Sequence, residues 1–518
     1  MDAQAYTRAG IDLLRKGDAQ RALEVLILAT EVDPIDHLAW YYRGSAAFAL
    51  GQFDEAVPSY RHAIRVRPDL VQAYFELGSA LRHLAHHEES VTVLREALRL
   101  DPSRHDVHSL LIFVLDLCPG VTIAEQQAER KRWYERHAFG KRPEQPFANT
   151  RDPDRRLRVG YVSADFRMHS AALAFGPVML RHDRAAFEVF CYSGTTAKDH
   201  LTETLQRAAD AWRETHTLTD ADMAQAIRSD RIDLLVDLSG HSFGHRLHVF
   251  ARKPAPVQIT AFGHATGTGL PTMDYLLSDP VTVPAEARPL FAEHVLDLPC
   301  PICYWAPYDA PRVSTLPSLA GQPFTFGSNN RVEKLSDQTL RLWARILRAA
   351  PQTRLQLKSA RLDLPSIRVA VLRAFSEHAI EPERVVLRGA TYIPEHLAAL
   401  HEVDVALDPT PQNGGITTAE TLWMGVPVVA LLGETPGGRL SASLLTATGL
   451  EDWIAYDENE YVDIAVSALV DRPYLARLRA DMRRRLARTP PYDLAAYTKS
   501  VESVYRQAWR QWCSGGRE

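Results

Sequence analysis

Apolar positions along the chain fall into two regimes. Through the first hundred residues they belong to a unit that repeats every 34 residues. Gly10, Gly44 and Gly78 keep that step, as do Ala29, Ala63 and Ala97, and Pro34, Pro68 and Pro102. An aromatic leads each unit at one offset: Tyr6, Trp40 and Tyr74. This is the pattern of tetratricopeptide helix pairs, with Gly and Ala where two helices touch and Pro closing the second helix. A fourth, degenerate pair is expected from about His105 to His137; its proline position holds Arg136, so it reads as a cap.

The second regime starts beyond a Pro-rich, charged boundary, Lys141 to Arg156. Short apolar, β-branched runs at 157–163, 187–193, 232–239 and 257–263 alternate with helical stretches. A second set begins near Thr325 and continues at 354–359, 384–389, 403–408 and 426–432. Each set predicts a parallel sheet with helices on both faces. The chain therefore divides into repeats (1–104), capping helices and linker (105–156), and two Rossmann-like halves (157–315 and 316–490). An amphipathic C-terminal helix (491–513) is expected to cross back onto the first half.

Composition narrows the function classes. The 518 residues are 46% apolar, enough for several cores. Lys and Arg number 59 against 64 Asp and Glu, a net charge of -5, so nothing asks for nucleic acid or an anionic membrane. No apolar run approaches the roughly 20 residues of a membrane helix. The opening MDAQAYTRAG lacks the basic-then-apolar layout of a signal peptide. Five cysteines are sparse and odd in number, which fits a reducing compartment, and a cytoplasmic protein is expected. Cys300 and Cys303 form a lone CPIC, without the second ligand pair or following helix start that zinc or redox chemistry wants. The Asp-x-Asp pairs Asp152/Asp154 and Asp220/Asp222 end no strand, so no metal is expected at a nucleotide site. A repeat stack offers a concave surface for peptides, but this one has no Asn to grip a peptide backbone. The alternative is a stack that only buttresses its neighbour.

In doubly wound sheets ligands bind beyond the carboxyl ends of the strands. Four such loops carry candidate chemistry. After the run 403–408, Gly414 and Gly415 lead into a helix from Ile416 to Met424, with Thr417 and Thr418 in its first turn and Glu420 one turn on. Free helix-start amides attract anions, Thr hydroxyls add donors, and glycine admits close approach. An ordinary capped turn has the same residues. In FGSNNRVEKLSD (326–337), Lys334 precedes a helix starting near Ser336, where a cation meets a diphosphate or simply faces solvent. In SADFRMHSA (163–171), His169 faces the cleft and positions or deprotonates a hydroxyl, unless it is a solvated loop histidine. In DLSGHSFGHR (237–246), Gly240 and Gly244 argue against the helix that a metal pair of His241 and His245 would need, so His241 is read as cleft lining, as is Gly263.

The repeats, LRVGYVSADFRMHS, DLSGH, RKPAPVQITAFGHATGTGLPTMDY, FTFGSNNRVEKLSDQTLRLWARIL and NGGITTAETLWMGVPVV together resemble the protein O-GlcNAc transferase family. The same blocks are similar to Spindly-type protein O-fucosyltransferases. The resemblance implies all-α repeats followed by a GT-B fold, and inverting transfer from a sugar nucleotide to protein Ser or Thr. UDP-GlcNAc is the implied donor and a protein or peptide the acceptor; GDP-fucose, or a non-catalytic scaffold, is the alternative. By resemblance, Lys334 binds the diphosphate, His169 is the active-site histidine, His396 stacks on the base, and Gly415, Ile416 and Thr417 supply the helix start. Glu420 matches a ribose-binding acid that is Asp in the family. Thr391, Gly414 and Thr418 complete the expected donor-binding set with Arg331, which stands where the family has glutamine. Ile393 and Ala399 replace a lysine and an arginine near the base, and Gly415 replaces a histidine.

Overall fold

The computed structural model describes residues 2–140, 146–264 and 266–515. The expected boundary segment begins with Lys141 to Gln145, which lie outside the described residues. Six repeat helices come first: α1 (Ala3–Arg15), α2 (Ala19–Val32), α3 (His37–Ala49), α4 (Phe53–Val66), α5 (Val71–His83) and α6 (His87–Leu100). The 34-residue spacing has a direct packing cause. A Cβ on Gly10, Gly44 or Gly78 would lie 2.4, 2.7 or 2.6 Å from Leu26, Tyr60 or Leu94 of the partner helix. Ala29, Ala63 and Ala97 are wholly buried. The recurring aromatics tie each unit to the last: the Trp40 indole donates to the Pro34 carbonyl (2.9 Å) and the Tyr74 hydroxyl to that of Pro68 (3.1 Å).

The cap is α7 (His105–Leu115) and α8 (Ile123–His137), the latter opened by a Thr122/Glu125 capping box. Arg130 of α8 is fully buried and bonds Asp116 (2.6 Å), Thr266 Oγ1 (2.7 Å) and the Gly267 carbonyl (3.1 Å). The stack is thereby docked on the loop 263–269 of the first α/β half. A Cβ on Gly269 would lie 2.5 Å from the Arg130 backbone, so the close seat requires glycine there.

The first sheet holds β1 (Leu157–Ser163), β2 (Phe187–Ser193), β3 (Ala211–Glu214), β4 (Leu234–Asp237), β5 (Val257–Thr260), β6 (Tyr275–Ser278) and β7 (His294–Asp297). All pairings are parallel, in the order β3-β2-β1-β4-β5-β6-β7. The second holds β8 (Thr325–Ser328), β9 (Arg354–Lys358), β10 (Val385–Arg388), β11 (Val405–Leu407), β12 (Val428–Leu431) and β13 (Ile454–Ala455), again parallel, in the order β10-β9-β8-β11-β12-β13. β3, β6, β7 and β13 are strands beyond the nine apolar runs of the sequence. They span only two to four residues, too few to show a pattern against their surroundings.

Each sheet reverses its strand order once, between β1 and β4 in the first and between β8 and β11 in the second. A crevice opens at such a switch point because the flanking loops leave in opposite directions. The two crevices face each other. The C-terminal helix Leu494–Cys513 packs on the first half: Tyr505 meets Tyr161 (3.3 Å), Glu502 bonds His182 (3.0 Å) and Trp509 Nε1 donates to the Asp152 carbonyl (2.9 Å).

Candidate active site

One cavity of about 2000 Å³ runs between the halves and on to the inner face of the repeats. Its second-half wall is built by the loops after β8 and β11. β8 delivers the chain into a single 3-10 turn, Val332–Lys334, followed by the helix Asp337–Ala349 capped by Ser336. The Ser336 and Thr339 hydroxyls donate to the Thr410 carbonyl (2.5 and 2.7 Å), locking this turn to the loop after β11. Lys334 Nζ consequently reaches the carbonyl of Asn413, with Asn330 Oδ1 at 3.5 Å. Burial first, and the charge of Arg331 second, push the Lys334 amine well below the ordinary lysine range; Asp408 and Glu333 pull the other way. Asp408, beneath it, is pushed up by its own burial.

The helix Ile416–Trp423 begins at Gly415 with no side chain bonded to its first amides. Gly415, Ile416 and Thr417 line the cavity, so these donors open onto it. Thr417 Oγ1 donates to Asn330 Oδ1 (3.0 Å), which joins the two loops. Gly414 and Thr418 serve from behind. The Gly414 amide is engaged by the Asp408 carboxylate (2.9 and 3.1 Å), and the Thr418 hydroxyl, buried, meets Ser441 Oγ (2.8 Å). A Cβ on Gly414 would lie 2.2 Å from that hydroxyl and 2.9 Å from Asp408, which explains the glycine. Glu420 lines the cavity one turn on, its carboxylate 3.7 Å from His396 Nε2. Ile393 shares the wall, whereas Thr391 is exposed and outside it; the helix Ile393–Ala398 starts after Thr391 and turns only later residues inward.

The first-half wall is the loop after β1. His169 caps α9 (Ser170–Arg181), its Nδ1 accepting from the Ala171 amide (3.2 Å). That bond leaves the neutral ring's proton on Nε2. Burial pushes the His169 pKa down; Asp165, 3.7 Å from Nδ1, opposes this, and Arg167 and Arg331 add to it. Arg331, exposed on the opposite wall, thus acts electrostatically on both Lys334 and His169. His241 and Gly263 also line the cavity. His241 is buried, donates from Nε2 to the Thr268 carbonyl (2.9 Å) and sits with ring centre 5.8 Å from His245. Burial pushes the His245 pKa down to about 3.

Three contributors escape the sequence reading. Asn330 ties Lys334 to Thr417; only the doubled Asn at a strand end hinted at it. Trp305 and Tyr308 line the cavity from the segment between the sheets. The CPIC thiols are buried in packing, Cys300 donating to the Ile302 carbonyl (3.2 Å) and Cys303 to that of Ala174 (3.2 Å), and burial pushes the Cys303 thiol up to about 12. Among the described residues no group of three or more His, Cys, Asp or Glu is arranged to hold a metal, and no helix is long and apolar enough to cross a membrane.

Two parallel sheets facing across a cleft at their switch points, with an amine and unpaired helix-start amides on one lip, define the GT-B class. Residues 89–301 and 315–501 match glycosyl transferase family 41, and 7–61 and 43–105 match tetratricopeptide repeats. The chain belongs to glycosyl transferase family 41. It is 34% identical over 373 residues to the probable UDP-N-acetylglucosamine–peptide N-acetylglucosaminyltransferase SPINDLY of Petunia hybrida, covering 71% of this chain and 40% of that protein. The corresponding SEC protein of Arabidopsis thaliana is 29% identical over 377 residues, 70% of this chain and 38% of its own. The chain thus spans about 40% of the length of the curated relatives it matches. A Lys-to-Met mutant of the Thermobaculum terrenum O-GlcNAc transferase superposes with a TM-score of 0.91 at 34% identity, over 99% of this chain and 98% of that one.

Proposed function

We propose that this protein is an inverting glycosyltransferase that moves N-acetylglucosamine from UDP-GlcNAc to Ser or Thr hydroxyls of proteins. The observation that supports it most is the convergence of Lys334 and the open amides at 415–417 on one cavity, with His169 opposite. The diphosphate lies against Lys334 and this helix start; His396 and Glu420 hold the base and ribose beyond it. The acceptor hydroxyl attacks the anomeric carbon, the bond to the β-phosphate oxygen breaks, and the hydroxyl proton passes to an oxygen of the departing nucleoside diphosphate. Charge builds on the β-phosphate as the bond breaks, and each preorganised donor there contributes about 3–4 kcal/mol. Because Nδ1 of His169 is occupied by the Ala171 amide, His169 presents an N–H and orients the acceptor rather than taking its proton. The acceptor polypeptide occupies the remainder of the cavity, whose repeat-side wall includes Phe48, Phe75 and Phe113. A volume of about 2000 Å³ exceeds the ~300–1,000 Å³ of small-ligand sites, leaving room for it. The acceptor shares the protein's compartment, which we take to be the cytoplasm, and no metal is assigned to the step.

Thermal-shift titration with UDP and GDP side by side, followed by release of free nucleoside diphosphate from the sugar nucleotide, tests this reading. A UDP response with UDP-GlcNAc turnover is expected. A GDP-only response turns the assignment to fucose, and binding without turnover of any donor leaves a scaffold.

A further inference from the structure

The repeat stack touches the second half as well as the first, and it does so beside Lys334. α5 ends at His83 and α6 begins at His87. Both imidazoles leave the stack and close on Glu333, the residue before Lys334. His87 Nε2–H donates to the Glu333 carbonyl (2.7 Å). The His83 ring is held between two guanidiniums, Arg82 at Nε2 (2.7 Å) and Arg361 at Nδ1 (2.8 Å), with the Glu333 carboxylate 3.1 Å from Nδ1. Arg361 Nε donates to the same carboxylate oxygen (2.7 Å), its guanidinium lying over Phe53 (4.5 Å), while Phe53 stacks on His83 (4.6 Å). Glu333 is 5% exposed and His87 4%. Burial alone would raise the Glu333 carboxyl, but His83, Arg331 and Arg361 hold it well below the usual range; burial pushes His83 down to about 4, so its ring is neutral.

His87 is a costly choice for a packed helix start. Its Nδ1 is buried with no hydrogen-bond partner among the described residues. Such a nitrogen works against stability, and an apolar side chain of similar size would avoid it. What the imidazole provides is the bond to the Glu333 carbonyl, the backbone of the turn that aims Lys334.

We propose that the repeats position the lysine: His87 and His83, acting through Glu333, fix the turn Val332–Lys334 and hold the amine at the helix start across from it. This rests on the reading of Lys334 given above. The stack is then part of the active-site frame, beyond any hold it has on the acceptor.

The test compares His87→Leu with His87→Gln, whose amide reproduces a donor near Nε2. For His87→Leu, kcat for donor hydrolysis falls about 10- to 100-fold, with donor KM within about threefold and no comparable loss in Tm. His87→Gln recovers most of the rate. In parallel, acetylation of the Lys334 amine followed by mass spectrometry quickens several-fold in His87→Leu and stays near wild type in His87→Gln. Should His87→Leu not fold, His83→Leu cuts the carboxylate side of the same link and replaces it. Wild-type rate and wild-type Lys334 labelling in the leucine variant overturn the inference, as does a loss of rate that follows Tm equally in both variants. If the wild type turns over no sugar nucleotide, the proposed function falls, and Lys334 labelling alone decides the positioning claim.

Discussion

At the switch point of the first half, between β1 and β4, the loops present imidazoles: His169, His241 and His245. Burial pushes all three pKa values down, so these imidazoles are neutral, with Asp165 and Arg167 lining the cavity beside His169. At the matching point of the second half, between β8 and β11, the loops present an amine and a row of helix-start amides tied together by Asn330. One backbone device, repeated, is thus equipped with different chemistry. In the function proposed above, the donor-rich wall takes the leaving diphosphate and the imidazole wall the incoming hydroxyl.

Substitutions in the two walls should separate accordingly. The largest effect falls on the second: Lys334→Met removes the amine that faces the diphosphate, and sugar-nucleotide turnover should drop roughly 10²- to 10³-fold, read as diphosphate release. His169→Ala removes the group that orients the acceptor and should lower transfer about 10²-fold, while UDP affinity by calorimetry stays within about threefold. His169→Asn, which keeps an acceptor for the Ala171 amide, should retain more activity than alanine. Gly414→Ala places a methyl where the Thr418 hydroxyl and Asp408 stand, and UDP binding should weaken about tenfold as the helix start shifts.

A subtler test uses pH. Burial and Arg331 favour the neutral Lys334 amine, so in the free enzyme the proton leaves at a lower pH than from an ordinary lysine. A bound diphosphate favours the charged amine. The alkaline limb of kcat/KM, which reports the free enzyme, should therefore lie below that of kcat. Arg331→Met removes one depressing charge and should move the kcat/KM limb upward. The smallest effect on chemistry belongs to the far end of the stack. Gly10→Val drives an isopropyl group into Leu26 and should cost about 1–3 kcal/mol of stability, seen as a lower Tm, with UDP binding unchanged.

How far these walls could be read beforehand follows from the range of the interactions. The 34-residue step carried the repeats because each glycine meets a residue 16 positions on, within one unit. β1 and β2 match their apolar runs residue for residue, since a strand buried on both faces reads as continuous hydrophobicity. Lys334, His169 and Thr417 were legible as polar residues just past strand ends. Glu333 was not, because its meaning lies in histidines about 250 residues away in the chain. Thr417 and Thr418 looked alike in sequence. About 100° of helix rotation separates them, sending one hydroxyl to Asn330 at the cavity and the other to Ser441 in the core.

The division of labour between the walls is tested most directly by UDP thermal shift in wild type, Lys334→Met and His169→Ala at one pH and salt concentration. UDP should raise Tm equally in wild type and His169→Ala, and much less in Lys334→Met. A full shift in Lys334→Met, with the shift lost in His169→Ala, would place the diphosphate on the first half and contradict the assignment.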